Sequence, residues 1–242
     1  MIDEKRLSEV LHNDAGIRLI EPHIYSLYQP GGENTNSYDT TFGTIYDLVA
    51  CNRFYNRFVL GYKTSDYHSF CLDALESSSY GWVLDAGCGS LAFTAKTYAA
   101  YSERPIVCLD QSLKLLRLAK SRMMQLNGDV PANMIFLHGD ALHLPFKTAS
   151  FSTVISLNLL HVLEDVTKVL RELKKVVADR GTISLTTMIE NDRLADTYLR
   201  MLGRAGELFP RSARQLFAAF DALGIPVTYS IKGNMTFISY RQ

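Results

Sequence analysis

Hydrophobic and polar positions change their rhythm along the chain at about residue 80. From there on, short apolar runs alternate with stretches in which apolar residues recur every three or four positions. The apolar runs predict strands at 82–86, 106–110, 134–138, 151–157 and 182–187. Several are rich in Val, Ile and Leu, as strands covered on both faces require. Helices are predicted between them at 92–101, 113–126 and 165–177. Leu113, Leu116, Ala119 and Met123 share one face of the second, Ser112 is placed to cap its start, and Asn127-Gly128 to end it. The third carries Val166, Val169, Leu170, Leu173, Val176 and Val177 on one stripe. Such alternation predicts a parallel sheet wrapped by helices on both faces. Toward the end, Ser212 and Gln215 have capping-box spacing and open a helix that runs to about Gly224. Runs at 227–231 and 235–240, joined by Lys232-Gly233-Asn234, then predict a hairpin that closes the sheet with an antiparallel strand.

The first 79 residues read differently. Helical patterns fall near 2–11, 41–51 and 65–76, with a loop at QPGGENTN (29–36), and aromatic residues crowd between Tyr38 and Phe70. They either pack this segment onto the sheet or form a lid over a ligand cavity. The expected division is therefore a helical segment, 1–79, and a Rossmann-like unit, 80–242.

Composition narrows the partners. Lys plus Arg and Asp plus Glu are 25 each, so no basic surplus points to nucleic acid. The four cysteines show neither paired nor metal-ligand spacing, and the expectation is reduced thiols in a cytoplasmic protein without a metal. The amino terminus is charged, and the longest uncharged run, 148–163, is shorter than a membrane span, so no membrane association is expected.

The chemistry concentrates at strand ends. The 82–86 strand runs directly into Gly87-Cys88-Gly89, where glycine lets backbone approach a ligand. Asp110 ends the next strand and is placed to accept both hydroxyls of a ribose. Asp140 follows the third strand, where a carboxylate can accept from an adenine amino group and the next N–H can donate to a ring nitrogen. Gly87, Gly89 and Ala92 also satisfy a dinucleotide fingerprint. Asp85 separates the two cofactors: a carboxylate beside the turn disfavours a pyrophosphate and suits the ammonium and sulfonium of S-adenosylmethionine.

The series VLDAGCGS, CLDQS, HGDALHLPF, FSTVISLNLLHVLED and LRELKKVVADRGTISLTTM resembles the class I S-adenosylmethionine-dependent methyltransferases, in particular the type 11 group that includes the ubiquinone and menaquinone enzymes. The ordered motifs cover about residues 80–190. The resemblance implies a Rossmann-like, doubly wound, seven-stranded and mostly parallel sheet with an antiparallel C-terminal strand, preceded by an N-terminal helical lid. It implies that Gly87, Cys88 and Gly89 approach the methionine portion, that Asp85 meets its amino group, and that Asp110 holds the ribose. Gln111 would lie against the adenine, Asp140 and Ala141 would read its edge, and Leu157 and Asn158 would lie beneath the methionine and its methyl group. His161 is the candidate general base and Tyr46 a candidate to close over the cofactor. Leu91 stands where the family commonly has a further glycine, and Asp179-Arg180-Gly181 replaces its usual Pro-Gly-Gly. The function expected is methyl transfer to a small-molecule acceptor. A non-catalytic S-adenosylmethionine-binding protein on the same scaffold is the alternative, and an NAD-dependent oxidoreductase is the third reading.

Overall fold

A computed structural model describes residues 4–13, 15–29, 56–101 and 103–242. Tyr46, the 41–51 helix and most of the 29–36 loop lie outside these residues. In chain order the elements are α1 (Glu4–Leu7), β1 (Arg18–Glu21), β2 (Ile24–Ser26), α2 (Thr64–Ser77), β3 (Trp82–Ala86), α3 (Ala95–Ala100), β4 (Ile106–Asp110), α4 (Leu113–Asn127) and β5 (Met134–His138). There follow β6 (Phe151–Leu157), α5 (Val166–Val176), β7 (Val177–Met188), α6 (Ala195–Arg204), α7 (Ala213–Ala222), β8 (Thr228–Lys232) and β9 (Met235–Arg241).

The strands form one sheet in the order β1-β2-β5-β4-β3-β6-β7-β9-β8. β2 through β7 pair in parallel, while β1 and the closing hairpin of β8 and β9 run antiparallel. Alternate strand residues feed two cores, because successive side chains point to opposite faces. Leu84, Val107 and Leu109 join α5 and α7 on one face, whereas Val83, Ile106 and Cys108 join α2, α3 and α4 on the other. The chain is thus doubly wound, as expected. Ser112 accepts from Leu115 N at 3.2 Å, Asp165 from Thr167 N at 2.9 Å, and Ser212 and Gln215 form the capping box. Among the described residues, no helix is long and apolar enough to cross a membrane.

Three features depart from the sequence reading. First, the sheet has nine strands, not seven. The seven expected ones run from Trp82 onward, and residues 18–26, read as part of a helical segment, form a hairpin whose second strand lies parallel to β5. Its sequence RLIEPHIYS is too short for a clear alternation, and the turn is made at His23, whose φ is +69° without a glycine to signal it. The hairpin is anchored to the sheet rim. His138 Nε2–H donates to the Gln111 carbonyl (3.1 Å), so Nδ1 accepts from the Ser26 hydroxyl (3.1 Å), and the Tyr28 ring stands edge-on to the imidazole at 4.7 Å. Second, of the expected helix at 2–11, the described residues are helical over Glu4–Leu7, and Leu11 bridges to Phe146. Third, β7 starts directly from the end of α5 and spans twelve residues, with an irregular register near its start, instead of the six expected.

Candidate active site

Parallel pairing places the carboxyl ends of β3, β4, β5 and β6 along one rim, and the strand order reverses between β3 and β6. A crevice at such a reversal is where open α/β sheets bind ligands. All five residues of β3 are buried, and the chain then turns sharply. Gly87 and Gly89 have φ of +72° and +55°, a region costly for residues with a Cβ. Leu91 adopts φ +56° as well. A glycine would adopt this backbone freely, whereas leucine does so at a strain of about 1–2 kcal/mol. Its side chain is buried in the core that contains Ala95, Tyr98 and Leu116. The same turn explains why α3 starts at Ala95 and not at Ala92.

The turn is held from the neighbouring strand. Gly87 N and Cys88 N donate to the Leu109 carbonyl (2.8 and 3.0 Å), and Gly89 N donates to Asp110 Oδ2 at 2.7 Å. Asp110 Oδ1 accepts from Ser112 N at 2.8 Å. The carboxylate is thereby fixed at the rim. A Cβ on Gly87 would come within 3.0 Å of the Leu159 side chain, while one on Gly89 would meet nothing within 4 Å. The turn is open at Gly89.

The other two acids have distinct surroundings. Asp85 is buried, and Tyr98 OH donates to its Oδ2 at 2.8 Å. Burial pushes its carboxyl up to about 7, against the opposing effect of the Tyr98 hydrogen bond and with a smaller upward push from Asp110. Asp140 caps its own turn, accepting from Leu142 N (2.8 Å) and pairing with His143 Nδ1 (2.9 Å). The N–H of Ala141 has no acceptor among the described residues.

These groups share one cavity of about 540 Å³. The turn residues Gly87, Cys88 and Gly89 line it, as do Asp85, Asp110 and Asp140, their neighbours Gln111 and Ala141, and Leu157 with Asn158 at the end of β6. His161 does not. Its side chain is buried (2% exposed), and its Nδ1 accepts from Met188 N at 3.3 Å, with the Thr187 hydroxyl at 3.2 Å. Burial and the nearby Arg211 hold it down at about 3, so it stays neutral at working pH. The expectation of a general base here is corrected. Position alone had suggested it, but the 3₁₀ turn Leu160–Val162 directs the ring into the protein. Burial, with Cys108, Asp110 and Asp85 nearby, raises the Cys88 thiol well above the ordinary range, which disfavours its thiolate.

The sequence reading missed several cavity residues. Phe93, Gly206 and Glu207 line it too, and Tyr67, behind the lining, reaches Asn158 from α2. Tyr67 and Asn158 are 91 positions apart, and no local pattern links them. The segment around Glu207 follows a helix, α6, that the sequence reading did not anticipate.

Comparison with known proteins agrees with this geometry. A family model described as a methyltransferase domain matches residues 83–181. The 27-O-demethylrifamycin SV methyltransferase of Amycolatopsis mediterranei is 30% identical over 103 residues, 43% of this chain and 37% of that one. An uncharacterized methyltransferase of Mycobacterium tuberculosis is 28% identical over 123 residues, 51% and 58% of the two chains. The match thus spans between 37% and 58% of the length of these curated relatives. In structure it is similar to the YcgJ protein of Bacillus subtilis, with a TM-score of 0.57, 24% identity, and 69% and 71% of the two chains covered. It is also similar to geranyl diphosphate C-methyltransferase of Streptomyces coelicolor A3(2), with a TM-score of 0.59, 12% identity, and 73% and 74% covered. The matched segment includes the glycine turn and all three strand-end acids, and over it the chain is similar to S-adenosylmethionine-dependent methyltransferases.

Proposed function

We propose that the protein catalyses methyl transfer from S-adenosylmethionine to a small-molecule acceptor. The observation that carries this reading is a single cavity at the strand-order reversal, bordered by carboxylates from three successive strand ends and by a glycine turn open at Gly89. The donor set fits the cofactor. Asp110 offers lone pairs to the ribose hydroxyls, while Asp140 and the unpaired N–H of Ala141 offer an acceptor and a donor to the adenine edge. Asp85 is the acid nearest the amino-acid end. Its carboxyl, raised to about 7 by burial, is the natural partner of an ammonium group once ionised. A pyrophosphate in the same place would face this buried acid, which argues against a dinucleotide.

When bound, S-adenosylmethionine supplies a methyl group already activated by its sulfonium, and the C–S electron pair leaves with the sulfur. The task of the protein is then to hold the donor across the rim, align the acceptor and exclude water. The sheet rim does the first through its acids. The apolar wall of Leu157, Leu159 and Phe93 does the last. A cavity of this volume lies within the usual range for small ligands, and the balanced net charge shows no surplus for a polyanionic acceptor.

Calorimetric titration with S-adenosylmethionine, S-adenosylhomocysteine and NAD tests the reading. Binding of the two adenosyl ligands and not of NAD is expected. Binding of NAD alone would overturn it. Methyl incorporation from labelled cofactor into any acceptor of a small-molecule panel separates an enzyme from a non-catalytic binder.

A further inference from the structure

Asn158 is the one residue at the rim that combines an unusual backbone with a side chain locked from behind. Its φ is +61°, a conformation that asparagine tolerates better than other residues with a Cβ. The backbone is held there by β7, because Asn158 N donates to the Thr186 carbonyl at 2.9 Å and to the Thr186 hydroxyl at 3.1 Å. That hydroxyl in turn donates to Asn158 Oδ1 at 3.2 Å, and Tyr67 OH donates to the same oxygen at 2.9 Å. The amide oxygen thus faces the two hydroxyls, and the NH₂ group lies on the opposite side. The NH₂ group has no partner among the described residues, is not shut away from the cavity, and belongs to a residue that lines it.

The lock is rigid. Tyr67 is fully buried, stacks on Phe93 with centroids 4.3 Å apart, and meets Tyr62 edge-on at 5.5 Å. Its place along the cavity follows from the strand order. Asp110 and Asp140 mark the adenosine end over β4 and β5, so the reactive end of the donor extends toward β3 and β6, where Asn158 closes the strand. Two N–H groups there suit one kind of acceptor. They stabilise negative charge on an oxygen, they cannot take up a proton, and they offer nothing to the N–H of an amine.

We propose that the Asn158 amide, aligned by Tyr67 and Thr186, holds the methyl acceptor through an ionised oxygen, so that the acceptor is a phenolate, enolate or carboxylate that needs no base. This rests on the methyl-transfer reading above. The test is equilibrium dialysis of the full chain saturated with S-adenosylhomocysteine against two matched pairs, benzoate with benzamide and 4-nitrophenolate with 4-nitroaniline. Each anion should bind about tenfold more tightly than its neutral partner. In Asn158→Gly, which keeps the left-handed backbone, that preference should fall to about one. In Asn158→Asp it should reverse, and in Tyr67→Phe it should fall roughly threefold as the amide loses one of its two donors. Affinity for S-adenosylhomocysteine is measured in each variant alongside, so that an effect on the donor is separated from one on the acceptor. Equal binding of anion and neutral partner, no retention of either anion, or an undiminished preference in Asn158→Gly each overturns the inference. A large loss of S-adenosylhomocysteine affinity in Asn158→Gly also overturns it, by assigning the amide to the cofactor. Failure of the unaltered protein to bind S-adenosylhomocysteine at all defeats the methyl-transfer reading itself, and this inference with it.

Discussion

The two ends of the cavity are built in different ways. At the β3–β5 end, the acids come from strand termini or the residues just after them, and nearby backbone holds two of the three: Gly89 and Ser112 on Asp110, Leu142 on Asp140, while Tyr98 of α3 holds Asp85. At the β6 end, Asn158 is positioned by a tyrosine from α2 and a threonine from β7, and Glu207 arrives from the segment after α6. One end is local and the other is assembled from across the fold. A ligand part shared by all members of the family can be met by a fixed local pattern. The part that differs between members has to be met by residues whose only relation is tertiary.

That contrast can be broken by experiment, beginning at the glycine turn. Leu91→Gly relieves a left-handed leucine but removes a buried side chain. The second effect, about 2–5 kcal/mol, outweighs the first, about 1–2 kcal/mol, so a net loss of up to about 4 kcal/mol is expected in urea unfolding. A more stable variant would mean that the strain dominates. Asp110→Ala removes charge-assisted hydrogen bonds of about 1.5–3 kcal/mol, and affinity for S-adenosylhomocysteine should drop roughly 10- to 150-fold by calorimetry. An unchanged dissociation constant would detach the local end from the cofactor.

A third effect depends on pH. The carboxyl of Asp85 is raised from 3.8 to about 7 in the folded chain. Its contribution to the stability of the ligand-free protein is therefore complete below about pH 4 and is lost as pH rises through about 7. Affinity for S-adenosylmethionine should run the other way. An ammonium favours ionised Asp85, so binding should strengthen up to about tenfold per pH unit as pH approaches 7 from below, then level off. Parallel thermal melts and titrations from about pH 5.5 to 8.5 check both slopes. The smallest effect is expected at His161. His161→Gln should leave the pH profile of cofactor binding unmoved, because the imidazole is already neutral above about pH 3.

Legibility in the sequence follows the same division. Strands β3 to β6 were readable to the residue, because each is a short apolar run bounded by turn chemistry. Asp85, Asp110 and Asp140 were readable as a set because a parallel sheet brings successive strand ends to one rim. Asn158 could be placed at that rim, but not its orientation, since Tyr67 and Thr186 are linked to it only through the folded sheet. The His161 error came from the same source. Spacing placed it near the site, whereas the 3₁₀ turn decided which way it faced. The first hairpin escaped notice because its strands have four and three residues, below the length at which alternation becomes a signal.

That hairpin has a practical consequence for anyone trimming the chain. A fragment starting at Tyr80 would retain every motif of the family, yet it would uncover the outer ladder of β5, whose pattern MIFLH is apolar and without formal charge at neutral pH. Bare edges of this kind recruit one another into aggregates. The fragment would also lose Ser26 and Tyr28, which brace His138 and through it the Gln111 carbonyl at the adenine end. Clipping the leader strands would be expected to leave a stickier protein with a looser grip on nucleosides.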